Sequence, residues 1–181
     1  QDRVNDLAIL KSNIIPDDFF TISNEDASLL DEIYVAGFPF GKSLSSSVKV
    51  TKGVVSSLSG IGNNYSNIQI DAAIQPGNSG GPIVDDKGNA VAVAVAKLDL
   101  QKIYKDFGVI PENTNFGIKA SAVRNLLEGN SVSIKEPEDT VLSASELSKN
   151  ITNGTVHLSC WMTMAQIKEI KAKKVLFSEF E

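Results

Sequence analysis

Short apolar runs alternate with clusters of Gly, Asn, Ser and Pro from the start of the chain to about residue 119. The runs at 7–11, 18–22, 32–37, 48–58, 67–71, 81–85, 90–98 and 116–119 have the length and composition of strands. Between them lie GFPFGKSLSSS, GIGNNYSN, QPGNSGG, DDKGN and VIPENTN, which carry turn chemistry. Many short strands punctuated in this way predict an all-β fold, an antiparallel barrel or sandwich, rather than alternating α/β units. One run stands apart. AVAVAVA at 90–96 has no charged position. It predicts a strand buried on both faces, with alanines where another layer approaches closely.

From Ala120 the period changes. Residues 121–128 repeat apolar positions at helical spacing and stop at Gly129-Asn130. Residues 130–141 are polar, contain Pro137 and are read as a linker. A short helix is expected at 143–150, and TVHLSCW at 155–161 alternates like a strand. Residues 163–174 are helical and basic in pattern and run into VLFSEFE. There are no internal repeats.

Composition narrows the function. A chain of 181 residues suits one domain or a domain with an appendage, and 42% hydrophobic residues suffice for a core. A net charge of -5 with no basic stripe argues against nucleic acid, whose phosphates an acidic chain repels. No apolar run approaches the ~20 residues of a membrane span, and QDRVNDLAIL is not a signal peptide. Cys160 is the sole cysteine and His157 the sole histidine, so no disulfide forms within the chain and no metal or cofactor is expected. Cys160 reads as a small apolar residue. Gly37 to Ser43 resembles a phosphate loop but has three residues between its glycines instead of four, with no helix to follow. The sequons at Asn64, Asn150 and Asn153 are short enough to recur by chance. The lysines of MAQIKEIKAKK read as a solvated helix face.

The chemistry sits in AIQPGNSGGPIV, residues 73–84. A serine nucleophile needs a base and donors aimed at the developing oxyanion. Glycines beside it allow successive N–H groups to converge on one oxygen. Gly77 and Ser79 are spaced to supply those groups, within an oxyanion segment of Gly77, Asn78 and Ser79. Gly80 and Gly81 leave room for a substrate backbone, and Pro82 ends the turn before an apolar strand. The alternative is a plain structural turn.

DAAIQPGNSGGPIVDDKGN resembles the nucleophile segment of trypsin-like serine proteases of the HtrA/Deg-type branch. VAGFPFG followed by VTKGVVSSLSG is similar to that branch's passage between its two barrels. NDLAILK resembles its aspartate motif, and NTNFGIKASAVRNLLE its closing strand and helix. The resemblance covers about residues 4–128 in one collinear order. It implies a chymotrypsin-like double β-barrel, here the second barrel plus the tail of the first, followed by C-terminal helices. The expected divisions are 1–41 for the end of the first barrel, 42–129 for the second barrel and closing helix, and 130–181 for an extension.

The resemblance also implies roles. Ser79 is the nucleophile, and Asp6 orients and stabilises a catalytic histidine; Asp2 is the lesser candidate because the Leu-Ala-Ile-Leu-Lys context follows Asp6. Ala73, six residues before Ser79, floors the primary specificity pocket, which favours small or medium aliphatic side chains. Ala96, Lys97 and Leu98 lie along the substrate backbone. Asn78 replaces the Asp by which digestive relatives hold a freshly cut N-terminus, so that mode of activation is not implied. In this family the histidine precedes the aspartate. His157 lies far downstream and reads as an ordinary strand residue, so the base is expected from outside this segment. The missing front part, a separate chain or a removed segment, is then an expected partner, because the apolar faces of 7–10 and 33–37 lie open without it. Protein or peptide is the expected substrate, with a periplasmic or other extracytoplasmic setting. A homo-oligomer remains open. The rival readings are a protease-fold fragment that binds peptide or regulates without turnover, and an unrelated β-barrel binding domain.

Overall fold

The computed structural model describes residues 1–13, 18–41, 46–95, 104–105, 108–109, 111–159 and 161–172, the side chains of 170–172 excepted. Six strands carry the fold: β1 (Glu32–Gly37), β2 (Lys49–Ser57), β3 (Asn67–Ile70), β4 (Pro82–Val84), β5 (Ala90–Val95) and β6 (Asn115–Lys119). They close into an antiparallel barrel in the order β1-β2-β3-β6-β5-β4. Closure comes from the β1–β4 pair, with Tyr34 opposite Val84 and Val35 opposite Ile83. Ile33, Val35, Val55, Ile68, Ile70, Ile83, Ala92 and Ala94 fill the interior.

The small residues of AVAVAV do what alternation predicts. Ala92 and Ala94 point into the interior, while Val95 joins Phe116 and Ile118 in a separate cluster. Gly117 lies against Ala92 and Ile83; a Cβ there would stand 2.9 Å from the Ala92 Cβ and 2.5 Å from the Ile83 Cδ1. Close approach of β4, β5 and β6 thus depends on residues without bulk.

Three helices follow: α1 (Ala120–Gly129), α2 (Ala144–Gly154) and α3 (Met164–Ala172). The start of α1 has no cap from its own N-cap residue. A distant loop supplies it, as Asp26 accepts from the Ser121 amide at 3.1 Å and from its hydroxyl at 3.0 Å. Its end is closed by Ser131 in the left-handed region (φ 56), with the Val132 amide returning to the Leu127 carbonyl at 3.0 Å. The start of α2 is a capping box. The Glu146 amide donates to the Ser143 hydroxyl, and the Ser143 amide donates to the Glu146 carboxylate at 2.9 Å. Leu147 and Ile151 of α2 are buried against Ala36 and Val84, with Phe20, Tyr34, Val48 and Leu142 around them. At about 1.5–3 kcal/mol for each large apolar side chain buried, these two outweigh the cap in holding α2 to the barrel.

Several expectations are corrected. Residues 7–11 form no strand; only an isolated bridge joins Leu7 to Asp2, and Ile9 and Leu10 are exposed. Residues 18–22 likewise contribute one bridge, Ile22 to Ala90. Of the strand expected at 155–161, residues 155–159 and 161 pair with no described residue. β1 falls within 1–41, the part expected to end the first barrel, yet it is paired on both sides within the closed barrel. The apolar face of 33–37 is therefore not open: Ile33, Val35 and Ala36 are fully buried. The expected continuation of β5 to residue 98 lies outside the described residues. No described helix is long and apolar enough to cross a membrane.

Candidate active site

β3 and β4 are consecutive in sequence but not neighbours in the barrel. Residues 71–81 must therefore cross one mouth of the barrel, and Ser79 lies on this crossing. Four parts of the barrel hold it. From β2, the Thr51 hydroxyl donates to the Ala73 carbonyl at 2.8 Å. From β6, the Asn115 side-chain amide donates to the Ala72 carbonyl at 2.9 Å. From the turn after β1, the Phe40 amide donates to the Pro76 carbonyl at 2.7 Å. To β5, the Gly80 amide donates to the Ala94 carbonyl at 2.8 Å. Thr51 and Asn115 were not foreseen from sequence, since a side chain reaching a backbone carbonyl across the fold leaves no local pattern.

The turn itself needs its glycines. Gly77 has φ 104 and Gly80 φ 83, both in the region closed to most side chains. A Cβ on Gly77 would also strike the Phe38 carbonyl oxygen, and one on Gly81 the Ala36 carbonyl oxygen. The Asn78 amide donates to the Gln75 carbonyl at 2.9 Å, and the Gly81 amide to the Asn78 carbonyl at 2.8 Å. Asn78 is only 2% exposed, and its side-chain oxygen is buried without a hydrogen-bond partner among the described residues. Gly37 makes room for it: a Cβ there would lie 3.0 Å from both the Asn78 Cα and its Oδ1. Ser79, between these anchors, is exposed.

The other expected site residues fall as follows. Asp6 is exposed, with φ 56, on the small turn closed by the Asp2–Leu7 bridge. Leu7 packs on the cluster of Val95, Phe116 and Ile118. Ser79 is tied to β5 through Gly80, whose amide donates to the Ala94 carbonyl. The Asp2 carboxylate is used locally. It accepts from the Asn5 side chain at 2.7 Å, the Asn5 amide at 3.1 Å and the Val4 amide at 2.9 Å, which hold it below the ordinary aspartate range. Ala73 is exposed. Ala96, Lys97 and Leu98 lie outside the described residues. His157 is exposed, with its ring 5.3 Å from that of Phe38. Among the described residues no cluster of His, Cys, Asp and Glu could hold a metal ion.

A closed antiparallel barrel whose mouth is crossed by a glycine-flanked serine turn defines the class as a chymotrypsin-like fold. Residues 1–93 match the trypsin-like peptidase domain family, and the chain belongs to that family. Among its relatives is the uncharacterized protein y4bJ of Sinorhizobium fredii, 34% identical over 160 residues, covering 88% of this chain and 25% of that protein. Another is the serine protease HtrA-like of Staphylococcus epidermidis, 30% identical over 127 residues, covering 62% of this chain and 21% of that protein. The crystal structure of the serine endoprotease from Yersinia pestis aligns with a TM-score of 0.46 and 25% identity, covering 61% of this chain and 34% of that one. Within the family the chain is of the HtrA type. It spans a quarter or less of the length of these two relatives.

Proposed function

We propose that this chain carries the nucleophile half of a serine endopeptidase site. The observation that carries the reading is the pinned turn: Gly77 at φ 104, buried Asn78 and exposed Ser79, held to four parts of the barrel. In the proposed reaction the Ser79 oxygen attacks a peptide carbonyl carbon. Its proton passes to a histidine supplied from outside this segment, which Asp6 orients. The N–H groups of Gly77 and Ser79 receive the oxyanion. The C–N bond then breaks, the histidine gives its proton to the leaving amine, and water hydrolyses the acyl-enzyme. The turn makes no demand for a metal or cofactor. An apolar residue at Ala73 supports cleavage after small or medium aliphatic side chains, and Ala96, Lys97 and Leu98 would lie beside the substrate backbone. An extracytoplasmic setting and a homo-oligomer belong to the same proposal.

One observation favours the second reading, in which this segment by itself binds peptide or regulates without turnover. His157, the sole histidine of the chain, is engaged edge-on with Phe38. Fluorophosphonate labelling separates the two. The longer parent is expected to react at Ser79, and Ser79→Ala is expected to abolish labelling. A folded parent that takes no label would refute the protease reading.

A further inference from the structure

The C-terminal extension reaches the turn that follows β1, where His157 meets Phe38. Leu147 and Ile151 lock α2 onto Ala36, the residue before Gly37, and onto Val84 of the strand that leaves the site turn. Gly154 then lies flat on Phe20, where an added Cβ would stand 2.8 Å from Cε2. Thr155 is buried and Val156 points out. His157 meets Phe38 edge-on, with an interplanar angle of 88°. Its Nδ1 lies 3.3 Å from the Ser159 hydroxyl, and its Nε2 faces Gly41, where a Cβ would be 3.9 Å away.

Phe38 opens the turn that props the site. Within that turn Phe40 and Gly41 are both left-handed, at φ 58 and φ 60. A left-handed phenylalanine is strained, and such strain persists only where surrounding contacts hold it. The Gly41 amide donates to the Phe38 carbonyl at 2.9 Å. That same carbonyl oxygen occupies the space a Cβ on Gly77 would need, and the Phe40 amide donates to Pro76. The Phe38–Gly41 turn is thus the backing plate of the oxyanion segment, with His157 on its outer side. An edge-to-face aromatic contact and the strain of one left-handed residue are of the same order, so losing the contact should loosen the turn measurably.

We propose that His157 is a positioning residue for the oxyanion turn: its ring, delivered by α2, holds Phe38 to Gly41 in the strained form that supports Pro76, Gly77 and Ser79. The catalytic consequence rests on the serine-protease reading; the structural half does not. The relative from Sinorhizobium fredii is aligned over 88% of this chain, which carries the similarity into residues 130–181.

Amide hydrogen exchange on the 181-residue chain tests the structural half. His157→Ala should speed exchange at the Phe40 amide by roughly three- to tenfold, the loss of one aromatic pair, with the amides of Val35 and Ile118 unchanged. His157→Phe should restore it. An unchanged Phe40 rate in His157→Ala, or a uniform acceleration across the barrel, overturns the proposal. In a parent that turns over, His157→Ala should lower kcat with KM unchanged, and His157→Phe should rescue it, since phenylalanine keeps the ring contact but transfers no proton. An active parent indifferent to His157→Ala also overturns the proposal. A folded parent without activity refutes the protease reading alone, and the exchange result then decides the role of His157.

Discussion

Asn78 precedes Ser79, the proposed nucleophile, at the position where the resemblance to digestive trypsin-like enzymes implies a carboxylate in those enzymes. Its side chain is buried, its oxygen finds no donor among the described residues, and Gly37 leaves it no slack. Among the described residues a charge there has nothing to pair with. Asn78→Asp is therefore expected to destabilise the chain by about 3 kcal/mol or more, read from the urea midpoint near neutral pH, with partial recovery on acidification as the new carboxyl takes a proton. Full stability at neutral pH would show that a cation or donor reaches the site. At this scale the sequence was readable where chemistry demands a residue type: Gly77, Ser79 and Gly80 are needed by the turn whatever surrounds it. It was silent on Thr51 and Asn115, whose work depends on which strands become neighbours. It was also silent on the burial of Asn78.

Among the elements, α2 shows how a short helix is assembled from one local signal and one distant one. The capping box at Ser143 is local and marks the start where the sequence predicts it. The end lies four residues beyond the expected one, at Gly154, because Ile151 is buried against the barrel. Hydrogen bonds from the Ser143 hydroxyl and amide hold Glu146 below a glutamate's ordinary 4.5. A group lowered in the folded state binds fewer protons there than in the unfolded chain. Its contribution is thus complete above about pH 4.5 and is lost as the pH falls through the lower native value. Ser143→Ala should cost about 1 kcal/mol at pH 7 and less at pH 3, measured by thermal unfolding at both values. An equal cost at both would assign the cap to the hydroxyl alone. The strand predictions divide on the same lines. Residues 32–37, 67–71 and 116–119 alternate and find partners on both sides. Residues 7–11 form an apolar run and 155–159 alternate, but the described structure offers neither a ladder to join. Period records what a segment could do; pairing depends on what else the fold brings alongside.

For the whole molecule, the barrel and the site turn behave as one object. Ile83 is fully buried in the interior, two residues beyond Gly81. Ile83→Ala should remove about 2–5 kcal/mol. Exchange protection at Asn78 and Gly80 should then fail at the same denaturant concentration as protection at Val35 and Ile118. Separate midpoints would show that the turn opens locally and is less firmly tied than its hydrogen bonds imply. The barrel was legible as a class from strand length and punctuation. Its closure through β1 was not, because the β1–β4 contact joins segments about 50 residues apart and no local pattern encodes that distance.

That closure also sets an order of events during folding. The crossing that bears Ser79 cannot take its final path until β1, β2, β5 and β6 are all in position, since each supplies or flanks one of its anchors. Contacts of long sequence separation form late. A chain still emerging from the ribosome would already have made residue 79, yet would hold it in a slack segment until β6 arrived. Synthesis order thereby delays the seating of Ser79 until the last strand of the barrel has been made.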